Sequence, residues 1–258
     1  MGCGGRGPVR GLMVLTLALA ALLLAGPAGA QRQEAPPLGT NLPGVGDSSR
    51  RGAVDAGQAP WSSLVRVQAP GLTRCTGVLL APDRVATAAH CLYSLRLGRF
   101  IPPGAVHVLL GYGHGAYAGH AVAVSYATAE GFDPRRAEAT RGADVAVITL
   151  ATALRGPVLA LGEEVGPMPV AIGGYQQDRA EALFADLDCR VVALVWDAAG
   201  RPLLAHDCAA TRGSSGAPML HQVDGTWRVA GIQVGARPAA IGGVAVPASA
   251  LRRLLAAD

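Results

Sequence analysis

The sequence predicts an all-β protein that ends in a short helix, and two observations support this fold class. From Trp61 onward, short apolar stretches alternate with the Gly, Pro and Asp residues that are typical of turns. Helical patterns are sparse over the same part of the chain. Many short strands at this spacing are typical of β-barrels and β-sandwiches, and the pattern alone leaves both architectures open.

Residues 1–30 have the features of an export signal. Arg6 and Arg10 precede an apolar run from Gly11 to Ala25, and Ala28–Ala30 is a small-residue cleavage site. The run is shorter than the ~20 residues that a membrane-spanning helix requires. We therefore expect cleavage after Ala30 and no stable membrane insertion afterwards; an uncleaved anchor is the alternative.

The remaining chain begins with a stretch that differs from the rest. Residues 31–51 are rich in Pro, Gly and polar side chains, which predicts a linker or a pro-segment. At the other end, Ala248–Ala257 is the best helix candidate, with Ser249 as a possible cap. Asp178–Leu187 is a weaker candidate that could also form a loop or strand. The predicted strands are Ser63–Gln68, Cys75–Leu80, Val106–Leu110, His120–Tyr126, Val145–Leu150, Pro169–Gly173, Val191–Trp196, Leu203–His206, Trp227–Val234 and Gly243–Pro247.

Charge and cysteine content narrow the function classes. The net charge is +4, all basic residues are Arg, and no dense basic run occurs, so we expect no nucleic-acid partner. The Arg- and Ala-rich composition indicates a GC-rich bacterial genome. Without Cys3 four cysteines remain, and an even number in an exported chain favours two disulfides over metal ligation. Three pairings are possible among Cys75, Cys91, Cys189 and Cys208.

Three short motifs contain the residue types that nucleophilic catalysis by serine needs. His90 lies in Thr-Ala-Ala-His-Cys, Asp144 precedes an apolar strand in Gly-Ala-Asp-Val-Ala-Val, and Ser215 lies in Gly-Ser-Ser-Gly-Ala-Pro. Such catalysis requires a hydroxyl nucleophile, an imidazole base and a carboxylate that orients the imidazole. Gly213 allows a turn in which its own amide and that of Ser215 face one point, as an oxyanion hole requires.

Together and in this order, the motifs resemble those of the chymotrypsin-fold serine peptidases, from about Trp61 to Leu255. This resemblance implies two six-stranded antiparallel β-barrels with the active site between them and a short C-terminal helix. We expect an N-terminal barrel over 52–155 and a C-terminal barrel with the helix over 156–258. The resemblance also pairs Cys75 with Cys91 and, with that pair set, Cys189 with Cys208. The α/β-hydrolases are disfavoured, because their triad runs in the order Ser, Asp, His.

The chain departs from trypsin-like enzymes at two places. Ser214 replaces the Asp that captures a new N-terminus after zymogen cleavage, although Arg50-Arg51 offers a possible activation site. Ala209 stands where trypsin-like enzymes have an acidic pocket residue. The motif style is closer to the bacterial glutamyl endopeptidases, whose Gly-Ile-His segment is Gly-Ile-Gln here, ending at Gln233. We expect Ala209 and Gln233 to contact substrate and to favour a small or uncharged residue before the scissile bond.

The resulting prediction is a serine endopeptidase, exported to the periplasm or outside the cell, with His90, Asp144 and Ser215 as its triad. Its partner is a protein or peptide substrate, and we expect a monomer with no cofactor and no metal. A non-catalytic binding or adhesion protein on the same fold is the alternative, because fold alone does not fix function. Self-limited cleavage is a third possibility.

Overall fold

The computed structural model describes residues 1–2, 4–5, 44–70, 74–163, 165–236 and 242–256. The chain divides into two compact units, Met1–Leu38 and Gly39–Asp258. Every strand and helix given below belongs to the second unit. Most of the predicted export signal and the first part of the predicted linker therefore lie outside the described residues. No helix of the described residues is both long enough and apolar enough to cross a membrane.

Eighteen strands and one α-helix make up the regular structure of the described residues. Their bounds, in chain order, are β1 Gly44–Val45, β2 Arg51–Ala53, β3 Leu64–Gln68, β4 Cys75–Ala81, β5 Arg84–Thr87, β6 Tyr93–Ser94, β7 Arg99–Phe100, β8 His107–Leu110, β9 Gly119–Thr128, β10 Ala146–Leu150, β11 Ala160–Leu161, β12 Met168–Gly174, β13 Phe184–Trp196, β14 Pro202–His206, β15 Ala210–Thr211, β16 Pro218–Val223, β17 Thr226–Ala236, β18 Gly243–Pro247 and α1 Ala248–Leu255.

Two closed six-stranded antiparallel barrels contain most of these strands. The first barrel has the order β10-β5-β4-β3-β8-β9, and β9 returns to β10. The second barrel has the order β17-β16-β12-β13-β14-β18, and β18 closes on β17. β11 adds to β17 in parallel, and β2 adds to β13. The predicted two-barrel fold class is confirmed.

Buried apolar side chains of the strands fill the barrels. In the first barrel Leu64, Val78 and Ile148 are completely buried, and in the second barrel Leu204 and Met219 are. Each such side chain contributes roughly 1.5–3 kcal/mol relative to an exposed one. The barrels therefore form rigid supports for the loops between their strands.

The two helix predictions have different outcomes. α1 forms over Ala248–Leu255, with Pro247 as its N-cap residue and Ser249 inside the first turn. The prediction that Ser249 caps the helix was therefore wrong. The weaker candidate, Asp178–Leu187, is not an α-helix. A 3-10 helix at Gln177–Arg179 is followed by β13. A strand forms there because Phe184–Asp186 pairs with β12 on one side and with β2 on the other.

The linker predicted to end at Arg51 is part of the folded unit from Gly44 onward. β1 pairs with β15 and β2 pairs with β13. Arg51 is buried and pairs with the Asp178 carboxylate at 2.6 Å, while Arg50 pairs with Asp186 at 2.9 Å. Cleavage between Arg51 and Gly52, followed by release of the preceding residues, would remove β1 and the Arg51 end of β2.

Candidate active site

His90 lies just beyond the end of β5, in a 3-10 helix over Ala89–Leu92. A disulfide between Cys75 and Cys91, with Cα atoms 6.2 Å apart, joins this 3-10 helix to the first residue of β4. The side chain of His90 is about one third exposed, with a relative exposure of 32%. The bond next to the histidine therefore fixes its backbone while its ring remains accessible.

Asp144 reaches His90 from the neighbouring strand of the first barrel, because β10 pairs with β5 and Ala146 lies opposite Thr87. It follows a 3-10 helix at Arg141–Ala143 and directly precedes Val145 and β10. Its carboxylate is 3% exposed. One oxygen accepts the backbone N–H of His90 at 2.8 Å, and the other lies 2.6 Å from the ring Nδ1. Two hydrogen bonds therefore fix both the position of His90 and the orientation of its ring.

The carboxylate also sets the protonation behaviour of the imidazole. Burial on its own lowers the pKa of His90, but the charge of Asp144 and its hydrogen bond raise the pKa above the ordinary value of 6.5. The positive charge of Arg141 opposes this increase. With Nδ1 bound to Asp144, a neutral ring has Nε2 as its proton acceptor, which is the requirement for a general base.

Ser215 lies in a tight turn between β15 and β16 that presses against the first barrel. Gly213 has φ +95°, and a Cβ there would lie 2.3 Å from the Tyr175 carbonyl oxygen. Gly216 has φ +82°, and its Cβ would lie 2.1 Å from the Thr76 carbonyl oxygen. Only glycine fits these two positions. A Cβ on Gly216 would also lie 3.0 Å from the Ala88 nitrogen, so the turn approaches the backbone that leads to His90.

The two serines of the turn differ in their hydrogen bonds. The Ser214 hydroxyl is buried and donates to the Thr211 carbonyl at 2.7 Å. Ser215 is half-buried, and within the described part of the chain its hydroxyl has no hydrogen-bond partner, His90 Nε2 included. The amide N–H groups of Gly213 and Ser215 likewise have no acceptor among the described residues. The structure thus pairs His90 with Asp144 but leaves the Ser215 hydroxyl unpaired.

Thr76, at the start of β4, joins the two barrels at this point, and the sequence analysis missed it. Its hydroxyl donates to the Gly213 carbonyl at 2.8 Å and accepts the Tyr175 N–H at 2.9 Å. Its own N–H donates to the Ser215 carbonyl at 2.9 Å. The one sequence signal was its position directly after Cys75, which does not reveal these contacts.

A cavity of about 270 Å³ opens beside Ser215 and is the candidate specificity pocket. Gln233 lines it, whereas Ala209 does not: the Ala209 amide donates to the buried Asp186 carboxylate at 2.8 Å. The neighbouring Ala210 faces the cavity instead. β1 forms part of the wall. The lining residues are Gly44, Val45, Ala210, Thr211, Arg212, Ser214, Ser215, Gln233, Gly235 and Ala236.

A buried histidine orients Gln233. His206 Nε2 lies 2.6 Å from Gln233 Oε1, and His206 Nδ1 accepts the N–H of Cys208 at 3.2 Å. Because Nδ1 accepts, the ring proton is on Nε2 and donates to the Gln233 oxygen. The Gln233 amide nitrogen donates to the Gly235 carbonyl at 3.2 Å. The second N–H of this nitrogen is the donor that Gln233 can offer to a ligand.

A second cavity, of about 410 Å³, lies beside His90. Its wall includes the exposed Leu95 and the ion pair between Arg141 and Glu138, which are 2.6 Å apart. Val234, next to Gln233, completes the wall from the second barrel. An extended ligand that crosses His90 can therefore contact both cavities.

The second disulfide joins Cys189 to Cys208, near the specificity pocket. Two groups of potential metal ligands occur among the described residues, Cys75 with His90 and Cys91, and Cys189 with Asp207 and Cys208. Their cysteines are all in disulfides and offer no thiolate, the form in which cysteine binds a metal. These groups therefore lack the donor chemistry of a zinc site.

The comparisons with known proteins agree with this architecture. The family described as trypsin-like peptidase domain matches residues 75–232. A Glu endopeptidase, solved in complex with MPD, is 20% identical, with a TM-score of 0.63 over 80% of this chain and 95% of the other. The VesB protease of Vibrio cholerae is 18% identical, with a TM-score of 0.58 over 80% of this chain and 65% of the other. No curated protein sequence matches the chain.

The two solved structures share the fold at low sequence identity, whereas the family match covers more than half of the chain. That match extends from Cys75, beside the first disulfide, to Ile232, which precedes Gln233. The chain therefore belongs to the trypsin-like peptidase domain family and has the chymotrypsin fold.

Proposed function

We propose that this peptidase is an exported serine endopeptidase with Ser215 as nucleophile, His90 as general base and Asp144 as orienting carboxylate. The observation that carries the proposal is the double hydrogen bond from Asp144 to His90, at 2.8 and 2.6 Å. This arrangement directs the ring Nε2 away from Asp144. A serine base needs this tautomer and this orientation.

In the proposed reaction, the Ser215 Oγ attacks the carbonyl carbon of the scissile bond and its proton moves to His90 Nε2. The carbonyl oxygen becomes an oxyanion that accepts the amide N–H groups of Gly213 and Ser215. The tetrahedral intermediate collapses when His90 gives the proton to the leaving amine, which leaves an acyl-Ser215 ester. Water, deprotonated by His90, then attacks the ester carbonyl. The acyl–Oγ bond breaks, His90 returns the proton to the Ser215 Oγ, and the acid is released.

Two features of the Ser215 turn support these roles. Its two candidate oxyanion donors have no acceptor within the described residues, so they remain available to a ligand. The Ser214 hydroxyl, in contrast, is already bonded to Thr211. Preorganised donors of this kind usually provide the largest electrostatic contribution to acyl transfer.

The test is labelling of the purified protein with a fluorophosphonate, followed by intact-mass and peptide mass spectrometry. We expect one adduct, on Ser215, and no adduct with Ser215→Ala. Ser214→Ala is the matched control, one residue away, and should still be labelled on Ser215. A folded wild-type protein that takes up no label, or takes it up on another residue, would contradict the proposed nucleophile.

Endopeptidase activity is tested separately with a peptide blocked at both ends. We expect cleavage by the wild type and none by Ser215→Ala. Labelling without cleavage of any protein or blocked peptide would contradict endopeptidase activity. Full biological effect of Ser215→Ala would favour a binding or adhesion protein.

Export is supported by the signal-like residues 1–30 and by the two disulfides, which form in oxidising compartments. We propose that residues 31–43 are a linker or pro-segment and that the folded enzyme comprises the two barrels and α1. N-terminal sequencing of the mature protein from culture medium and periplasm tests this. A mature chain that begins at Gly52 would contradict it, because β1 and part of β2 would be lost.

For specificity, we propose that Gln233 donates a hydrogen bond to an uncharged acceptor side chain before the scissile bond. His206 supports this, because it occupies the Gln233 oxygen and leaves an N–H as the available group. Peptides that differ only in this residue test it. We expect Gln, which offers an acceptor, to be cleaved faster than Ala, and Ala faster than Arg. Strict cleavage after Arg would refute the preference.

A further inference from the structure

The hairpin turn between β13 and β14, in the second barrel, contacts the loop that carries Asp144, in the first barrel. Asp197, at the start of this turn, accepts the backbone N–H of Gly142 at 2.9 Å. The Asp197 side chain has no exposed surface. Gly142 lies two residues before Asp144, so this contact joins the second barrel directly to the orienting carboxylate of the first.

Both carboxylate oxygens of Asp197 are fully used. Oδ1 accepts the backbone N–H groups of Ala199 and Arg201, each at 2.9 Å. Oδ2 accepts the Gly142 N–H and lies 3.3 Å from a guanidinium nitrogen of Arg201. Burial tends to raise the pKa of Asp197, but the hydrogen bonds from Arg201, Gly142 and Ala199 lower it below the ordinary 3.8. A buried carboxylate satisfied in this way stays ionised at neutral pH.

Gly142, the residue that faces Asp197, leaves no room for a larger side chain. A Cβ on Gly142 would lie 2.4 Å from Arg201 Cβ and 3.0 Å from Asp197 Oδ2. Arg141, the residue before Gly142, also contacts the second barrel: its side chain donates to the Ala236 carbonyl at 3.0 Å. The second barrel therefore binds two consecutive residues of the 3-10 helix that directly precedes Asp144.

We propose that Asp197 is a positioning residue: through Gly142 it fixes Asp144, and through Asp144 it fixes the His90 ring. The inference rests on the proposed role of the triad. It makes the orientation of His90 depend on the packing of the second barrel, to which Ser215 belongs. The pairing of His90 with Asp144 is therefore coupled to the presence of the barrel that supplies the nucleophile.

Asp197→Asn separates this role from general support of the hairpin. The Asn side-chain oxygen can keep the two bonds to Ala199 and Arg201, which places its NH₂ group opposite the Gly142 N–H. Two donors then face each other, and the loop must move. We expect kcat to fall about 10- to 100-fold, as for a displacement of about 1 Å, with KM within about twofold.

Two readouts distinguish positioning from stability. The acid limb of kcat/KM should move to lower pH, because a displaced Asp144 supports the His90 imidazolium less. The low-field proton NMR signal of the Nδ1–H group that bonds to Asp144 should shift or broaden. Rates are measured at low temperature and divided by the folded fraction, which near-ultraviolet circular dichroism gives. Partial unfolding therefore does not mimic the effect.

Asp55→Asn is the matched control. Asp55 also accepts a nearby backbone N–H, from Gly57 at 2.8 Å, but it is exposed and far along the chain from the triad. We expect unchanged kcat, pH profile and NMR signal. Gly142→Ala perturbs the proposed contact from the other side and should reproduce the effect of Asp197→Asn.

The outcomes separate the two proposals. If the wild type labels on Ser215 and Asp197→Asn matches Asp55→Asn in kcat, pH profile and NMR signal, the positioning role is wrong and the triad stands. If the wild type neither labels nor hydrolyses peptides, the proposed function is wrong. The NMR signal still reports whether Asp197 fixes the contact between His90 and Asp144.

Discussion

The two halves of the candidate site differ in how completely they are formed. In the first barrel, Asp144 already makes two hydrogen bonds to His90. In the second barrel, the Ser215 hydroxyl and the two candidate oxyanion amides have no partners within the described residues. Under the proposed mechanism, the difference teaches that His90 is oriented before a ligand arrives, while the Ser215 hydroxyl and the two amides keep their hydrogen-bonding capacity for the substrate.

Each half is also held by the opposite barrel. Thr76 of the first barrel bonds to the Gly213 and Ser215 carbonyls, and Asp197 of the second barrel bonds to the loop before Asp144. Mutations in the two halves should therefore reduce activity for different reasons, in base function or in oxyanion stabilisation.

The largest expected effect is on the half that is already formed. Asp144→Asn should lower kcat about 10⁴-fold, because an amide favours the wrong tautomer of the imidazole. Steady-state kinetics against the wild type provide the measurement. Asp83→Asn, an exposed carboxylate paired with Arg84 at 2.6 Å, is the control and should be neutral. A loss of less than about tenfold would exclude Asp144 as the orienting carboxylate.

The same pair predicts the pH dependence. His90 must be neutral to accept the serine proton, so kcat/KM should fall in acid with an apparent pKa above 6.5, because Asp144 raises the pKa of His90. The stability that the Asp144–His90⁺ pair adds is present below the unfolded pKa and is lost as pH rises through the folded pKa. A kcat/KM profile at pH 5 to 9 measures the pKa of the acid limb, and denaturation curves over the same range measure the change in stability. An acid limb with an apparent pKa below 6.5 would contradict the expected increase in the pKa of His90.

A smaller effect is expected in the half that awaits the substrate. Thr76→Val keeps the shape but removes the hydroxyl, which leaves the Gly213 carbonyl and the buried Tyr175 N–H without their partner. We expect kcat to fall about 10²-fold, the size of one lost oxyanion donor, and stability to fall by ~1–3 kcal/mol. The pH limb should not move. Thr76→Ser keeps the hydroxyl and should restore most of the rate; equal loss in both variants would exclude this role.

The smallest expected effect on kcat is the difference between removing the first disulfide and removing the second. Double Ala substitution at Cys75/Cys91 or at Cys189/Cys208 should cost about 3 kcal/mol in each case, since the pairs are 16 and 19 residues apart. Only the first pair adjoins His90, so its removal should lower kcat more. Urea denaturation and kinetics provide the two measurements. Equal kcat losses would show that the first disulfide has no special effect on the histidine.

Much of the fold was predictable because its signals are local. Short apolar stretches bounded by turn residues predicted the strands, and the motifs around His90, Asp144 and Ser215 indicated the two-barrel architecture by resemblance. The errors also have local causes. The segment from Gly44 to Arg51 has a linker composition, yet its backbone pairs with β15 and β13. Ser249 has the right chemistry for a cap, but the helix begins one residue earlier.

By itself, the sequence determined the family motifs, their order, and the four cysteines that follow Cys3. Only the tertiary structure decided that Ala210 rather than Ala209 faces the pocket, that His206 orients Gln233, and that Asp197 bonds to Gly142. The last two contacts join residues 27 and 55 positions apart. No local pattern encodes such contacts, because they form only when the strands of the closed barrels bring distant turns within hydrogen-bond distance.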